Sequence, residues 1–158
     1  MNVLSIAKGV EKKMKVSIKK LRENAIIPKR ATTKSAGYDL FACIDETLEI
    51  KPHETKVIPT GVAIELPHYT FGAIFARSGL ATKRGLRPSN CVGVCDEDYR
   101  GEYMVALYND SDKTQLVEPK ERIAQLVIVP YAVADFETAE ELSVSERKDG
   151  GFGHSGRF

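Results

Sequence analysis

Five places in this 158-residue chain set side chains capable of chemistry beside apolar, strand-like segments. The densest is Asn90-Cys91-Val92-Gly93-Val94-Cys95-Asp96-Glu97-Asp98-Tyr99-Arg100-Gly101-Glu102, where an apolar run enters three acids and then an aromatic ring. Three acids at a strand end are either a solvated turn or a place that holds a metal or activates water. Arg77-Ser78-Gly79-Leu80 puts a cation, a hydroxyl and a glycine where a strand gives way to a helix start. It reads as a simple N-cap, with Ser78 as the cap, or as an anion site built on free N–H groups. In Ser35-Ala36-Gly37-Tyr38-Asp39-Leu40 a carboxylate sits just inside an apolar strand, either as a turn aspartate or as a charge that needs a partner. Arg122 and Gln125 enter the last apolar strand, where such residues are usually structural.

The fifth place is the C-terminal tail, Gly151-Phe152-Gly153-His154-Ser155-Gly156, flanked by Arg147 and Arg157. It matches G-x-G-x-x-G formally, but only Arg157 and Phe158 follow, so no helix and crossover strand can complete a dinucleotide fold. Accessible backbone N–H groups, the Ser155 hydroxyl and the forked arginines suit a phosphate clasp; a plain flexible terminus is the alternative. No Gly-x-x-x-x-Gly-Lys-Ser/Thr stretch occurs, and the three histidines supply no base for a Ser/His/Asp triad. Water activated by a carboxylate is the more economical chemistry. Cys43, Cys91 and Cys95, an odd number, read as reduced thiols, and no second pair of ligands accompanies Cys91 and Cys95 to make a zinc site.

The elements that must position these groups are short strands. Lys56 to Leu66, Phe71 to Ala76, Tyr103 to Tyr108 and Ile123 to Val129 are rich in Val, Ile and Tyr and are punctuated by Pro, Gly and Asn/Asp. They predict an all-β sandwich or barrel with one short helix, Ser78 to Arg84. Met14 opens a further strand-like stretch, so the reading divides the chain into an N-terminal extension (1–13), a β domain (14–142) and a flexible Gly-rich tail (143–158). With 23 basic against 22 acidic residues, 42% hydrophobic and 28% charged, the composition is that of one soluble domain. It does not fit a protein that grips nucleic-acid backbone, and no apolar run reaches the length of a membrane span. A cytoplasmic location is expected, or a nuclear one if the source is eukaryotic or viral.

The five clusters, in this order, resemble the five motifs of the homotrimeric dUTPase family. The matching stretches are Ala36–Leu40, Arg77–Ala81, Gly93–Gly101, Arg122–Leu126, and Arg147 with Gly150–Gly156, together spanning roughly residues 15 to 157. The resemblance implies a jelly-roll-like β-barrel or sandwich, a trimer with shared active sites, and Mg2+-assisted hydrolysis of dUTP to dUMP and pyrophosphate. That activity limits uracil in DNA and supplies dUMP for dTMP synthesis. Carried over by residue, Asp96 activates the water that attacks the α-phosphate. Asn90 reads uracil from a hairpin, Tyr99 packs under the deoxyribose, and Val94, Cys95 and Met104 line the same pocket. Arg77, Ser78 and Gly79 contact the phosphates, while Asp39 and Gln125 act through water around Mg2+. Arg122 holds Asp39 and the trimer interface. From the tail, the resemblance implies that Phe152 stacks on uracil, that Arg147, His154 and Ser155 close over the γ-phosphate, and that Gly153 is a further substrate-binding position.

Two positions depart from the family pattern: Cys95 where isoleucine is usual, and His154-Ser155 where Ser-Thr is commonest. The first predicts slightly looser packing, the second a shifted pH dependence. Two other readings are separable by assay. A dCTP deaminase on the same fold would release ammonia, and a non-catalytic nucleotide-sensing module would release nothing.

Overall fold

The computed structural model describes residues 14–151. Residues 1–13, and Phe152, Gly153, His154 and Ser155 of the tail, lie outside the described residues. The chain forms strands β1 (Ser17–Lys20), β2 (Tyr38–Phe41), β3 (Leu48–Ile50), β4 (Thr55–Pro59), β5 (Val62–Glu65) and β6 (Thr70–Phe75). The helix α1 (Ser78–Arg84) follows, then β7 (Leu86–Pro88), β8 (Gly93–Cys95), β9 (Met104–Asn109), β10 (Gln115–Val117) and β11 (Arg122–Pro130). The expected all-β architecture with one short helix is therefore present. The sheets run β2-β11-β6-β8, β4-β9-β7, β1-β5 and β10-β3, and all pairings between strands are antiparallel. They pack as a sandwich; among the described residues no sheet closes into a barrel.

Period-2 alternation explains which side chains face the core. In β9, Val105 and Leu107 are buried while Met104, on the opposite face, is 48% exposed. Leu40, Ile50, Ile58, Val62, Leu86, Leu107, Val117 and Ile123 have almost no solvent contact, each such burial stabilising the fold by about 1.5–3 kcal/mol. Asn109, wholly buried at the end of β9, is fully satisfied: its amide donates to the carbonyls of Ile50 (2.9 Å) and Lys113 (2.8 Å), and its oxygen accepts from Ser111 N–H (3.0 Å) and Oγ (2.7 Å).

The continuous reading from Lys56 to Leu66 divides at Gly61, whose φ of +71° sits in the left-handed region. A Cβ there would fall 2.6 Å from Ala25 Cβ and 2.7 Å from Cys43 Sγ, so only glycine lets β4 and β5 turn against the core. The helix cap is also displaced by one residue. Arg77 occupies the N-cap in extended conformation with no side-chain capping bond, and Ser78 is the first helical residue. Gly85 ends the helix at φ +67°, its N–H reaching the carbonyls of Ala81 and Leu80. Arg84 ties the helix to the sheet edge, donating to Gln115 Oε1, to the Leu116 carbonyl and, through Nη1, to Glu121 Oε1 at 2.5 Å.

Candidate active site

The link between β7 and β8, together with β8, the loop after it and the start of β9, forms the wall of a cavity of about 240 Å³. Asn90, Val94, Cys95, Asp96, Tyr99 and Met104 all line it, joined by Ile74, Gly93, Glu102 and Tyr103. The residues expected to hold a nucleoside are thus brought together by one stretch of chain. Asn90 does not stand on a two-strand hairpin, however. It lies in the tight link between β7 and β8, which pair with β9 and β6 in different sheets, and a Cys91 N–H to Pro88 carbonyl bond of 3.1 Å closes that link.

Asp96 is exposed immediately beyond β8, and Tyr99 N–H donates to its carbonyl at 3.2 Å. Val94, 63% exposed, and Met104 present apolar surface to the same space. The Cys95 thiol turns inward; burial, and then the charge of Asp96, push its pKa up to about 11, so it is a neutral, unreactive group at physiological pH. Burial likewise raises the pKa of the Tyr103 phenol. That hydroxyl faces the Cys95 thiol, but no hydrogen bond of ordinary geometry joins them.

A second cluster lies toward the opposite edge of the four-stranded sheet. Asp39 in β2, Gln125 in β11 and Phe75 in β6 share one rung. Asp39 is nearly buried and each of its oxygens carries a guanidinium: Arg77 Nε donates to Oδ1 at 2.9 Å, and Arg122 Nη1 to Oδ2 at 3.3 Å. Arg77 Nη1 also donates to the Arg122 carbonyl at 3.3 Å. The carboxylate inside an apolar strand is therefore paired, and Arg122 holds it as expected. Gln125 donates to the Ala76 carbonyl at 2.8 Å and turns its Oε1 toward Gly37, where a Cβ would approach it to 2.5 Å. Ser78 and Gly79 are exposed at the start of α1, with open space over Gly79.

The two clusters do not meet within one chain. Three strand spacings across the sheet and four residues along it separate Asp39 from Asp96, since Phe75 shares the Asp39 rung while Gly72 pairs with Cys95. At sheet dimensions this is about 20 Å. Arg147 Nε donates to the Gly150 carbonyl at 2.8 Å across a local turn.

Three residues of the same stretch, to which the sequence assigned no individual role, shape the site. Gly93 lets Asn90 close over it: a Cβ would lie 3.3 Å from Asn90 Nδ2 and 3.1 Å from Ile74 Cβ. Gly101 lies under the Tyr99 ring, where a Cβ would come 2.5 Å from Cζ. Glu102 accepts from Gly61 N–H at 2.7 Å, fastening the Tyr99 loop to the turn between β4 and β5. A glycine inside a strand, as at Gly93, is the one sequence signal of such close approach. As for metal, the described residues contain no group of three or more His, Cys, Asp or Glu able to cage an ion. Asp39 is engaged by two arginines, which suits an ion carried by substrate phosphates and met through water rather than one held by direct ligands. No helix among the described residues is long and apolar enough to cross a membrane.

Comparison with known proteins bears directly on this geometry. The dUTPase family model matches residues 23–156. A deoxyuridine 5'-triphosphate nucleotidohydrolase of Hydrogenobaculum sp. (strain Y04AAS1) is 49% identical over 143 residues, covering 90% of this chain and 99% of that protein. One from Psychromonas ingrahamii is 50% identical over 132 residues, covering 83% and 87%. Among solved structures, a mutant of the Staphylococcus bacteriophage 80alpha dUTPase with dUpNHpp superposes with a TM-score of 0.79 at 33% identity, covering 90% of this chain and 98% of that one. A mutant dUTPase from phage phi11 of S. aureus, described as coordinating a structural Mg(II) ion, gives 0.75 at 27% identity, covering 83% and 100%. With motifs, fold and both clusters in agreement, the chain belongs to the dUTPase family.

Proposed function

We propose that this dUTPase hydrolyses dUTP to dUMP and pyrophosphate through a water that Asp96 orients and deprotonates for attack on the α-phosphate. The observation that carries this reading is the cavity lined at once by Asn90, Val94, Cys95, Asp96, Tyr99 and Met104. An exposed carboxylate at the lip of a nucleoside-sized pocket is where a general base must stand, and such a base contributes about 10²–10⁴ in rate. Asn90 and the backbone around it read the base. The Tyr99 ring, fixed by its hydroxyl donating to the Glu102 carbonyl at 3.1 Å, forms the floor that excludes a 2'-hydroxyl.

Arg77, Ser78 and Gly79 bind the phosphates, with Arg77 aimed by its bond to Asp39. Gln125, and Asp39 beyond it, would hold the water shell of a Mg2+ ion carried by the triphosphate, and such an ion would supply charge neutralisation there. Arg147, Phe152, Gly153, His154 and Ser155 close the tail over base and γ-phosphate. Because about 20 Å separates Asp96 from the Asp39–Arg77 bracket in one chain, a complete site requires the bracket of a neighbouring copy. A trimer with sites shared between protomers meets that requirement.

Two assays test this function. Pyrophosphate release should be fast from dUTP and slow from UTP, and ammonia release from dCTP should be absent; ammonia release would establish a deaminase instead. Mixed refolding of Asp96→Asn and Arg77→Ala chains should restore activity that neither variant has alone, because some mixed sites combine two intact halves. Mixtures as inactive as the parents would contradict shared sites.

A further inference from the structure

Glu97, the second of the three acids after β8, makes contacts that the water-activating role of Asp96 does not use. Its carboxylate leaves the cavity wall and crosses to the turn before β6. Oε2 accepts the Tyr69 N–H at 2.5 Å, and Oε1 lies 3.0 Å from His68 Nδ1. Tyr69 has a φ of +61°, a left-handed conformation costly for an aromatic residue, and Glu97 is what satisfies its N–H. The same turn is closed by Thr70, which donates twice to the Pro67 carbonyl, at 3.2 Å from N and 2.6 Å from Oγ1. On its other side the loop is held by Arg100, whose Nη1 donates to the Glu97 carbonyl at 2.6 Å. Burial alone would raise the carboxyl's pKa, but the bonds from His68 and Tyr69, and the facing Tyr131 phenol, hold it below the ordinary range.

We infer that Glu97 is a positioning residue: its side-chain bridge to the Tyr69 N–H and the His68 ring sets where the neighbouring Asp96 carboxylate stands over the cavity. One peptide bond joins anchor and base, so a slack anchor moves the base while leaving the other cavity walls in place. The inference rests on the reading of Asp96 as the group that activates water. Misplacing a base by about 1 Å costs up to about 10²-fold in rate.

The test is a series of full-length Glu97 variants, with kcat from pyrophosphate release and Kd for the non-hydrolysable analogue dUpNHpp. Glu97→Gln keeps the geometry, its carbonyl accepting from Tyr69 N–H and its amide donating to His68 Nδ1. Glu97→Asp keeps the charge but falls one methylene short, and Glu97→Ala removes both. The bridge predicts kcat within about threefold of wild type for Gln, a loss of about tenfold or more for Asp and Ala, and analogue binding unchanged throughout. If Ala does not fold, the Gln and Asp pair decides alone. A rate retained by Asp but lost by Gln would show that charge, not position, matters and would overturn the inference. So would three variants at the wild-type rate, or binding lost in step with kcat. Asp96→Asn, run alongside, separates the two ideas: if it retains full activity the reading of Asp96 fails and this inference falls with it, whereas an inactive Asp96→Asn beside an indifferent Glu97 series removes the inference only.

Discussion

Removing the carboxylate of Asp39 should weaken both the fold and the grip on phosphate, by amounts that can be worked from its two contacts. The 2.9 Å bond from Arg77 Nε is charge-assisted and partly buried, a geometry worth about 1.5–3 kcal/mol. The 3.3 Å contact from Arg122, whose side chain is half exposed, adds at most about 1 kcal/mol. Asp39→Ala removes both and leaves two guanidinium groups facing each other, so unfolding should become easier by about 2–4 kcal/mol. Asp39→Asn retains an acceptor for Arg77 and should fall between. Urea denaturation at fixed protein concentration measures the first effect, since an oligomer's stability depends on concentration. Calorimetric titration with dUpNHpp measures the second: once Arg77 loses its aim, affinity should fall about tenfold, the equivalent of about 1.4 kcal/mol. A stability change below about 0.5 kcal/mol would refute the bracket as a structural element. A loss of stability with unchanged affinity would refute the assignment of Arg77 to the phosphates.

Other perturbations follow from the same geometry. Gly101→Ala pushes a methyl into the Tyr99 ring and should cost about 1–3 kcal/mol of stability while relaxing discrimination between dUTP and UTP, read as the ratio of their kcat/KM values. The Cys95 thiol has a folded pKa above its unfolded value, so its stabilising effect is complete below about pH 9 and lost as pH rises toward 11. Cys95→Ala should therefore show a shallower alkaline decline in melting temperature; an unchanged slope would contradict the buried neutral thiol. Thiol labelling of the native protein near pH 8 should modify exposed Cys91 well before Cys95 or buried Cys43, and mass spectrometry of the labelled peptides checks the order.

The cavity residues Asn90 to Met104 lie on one short stretch, where acids, an aromatic and glycines crowd the end of an apolar run and single it out, but their assignment to a nucleoside came from the family resemblance. The Asp39 bracket was readable only in part. A carboxylate in an apolar strand demands a counter-charge, but Arg77 and Arg122 stand 38 and 83 residues away and nothing local pairs them. The role of Glu97 was hidden for a related reason. Its partners lie in a turn with no periodic pattern, so three consecutive acids looked interchangeable. The strands β3, β7 and β10, three residues long like β8, are too short for alternation to register. Ser78 was placed one residue early because a capping side chain was expected where Arg77 stands with none. The separation of the two clusters could not be read at all before strand order and register were known.

Pyrophosphate release from dUTP by wild type and by Asp96→Asn, at saturating substrate and Mg2+, decides whether Asp96 is the group that deprotonates water. Asparagine keeps the shape of the side chain and can still hold a water, but it cannot take its proton. With Asp96 as the base, kcat falls by about 10²–10⁴ while dUpNHpp affinity stays within a few-fold of wild type. Equal turnover in the two proteins would contradict that role.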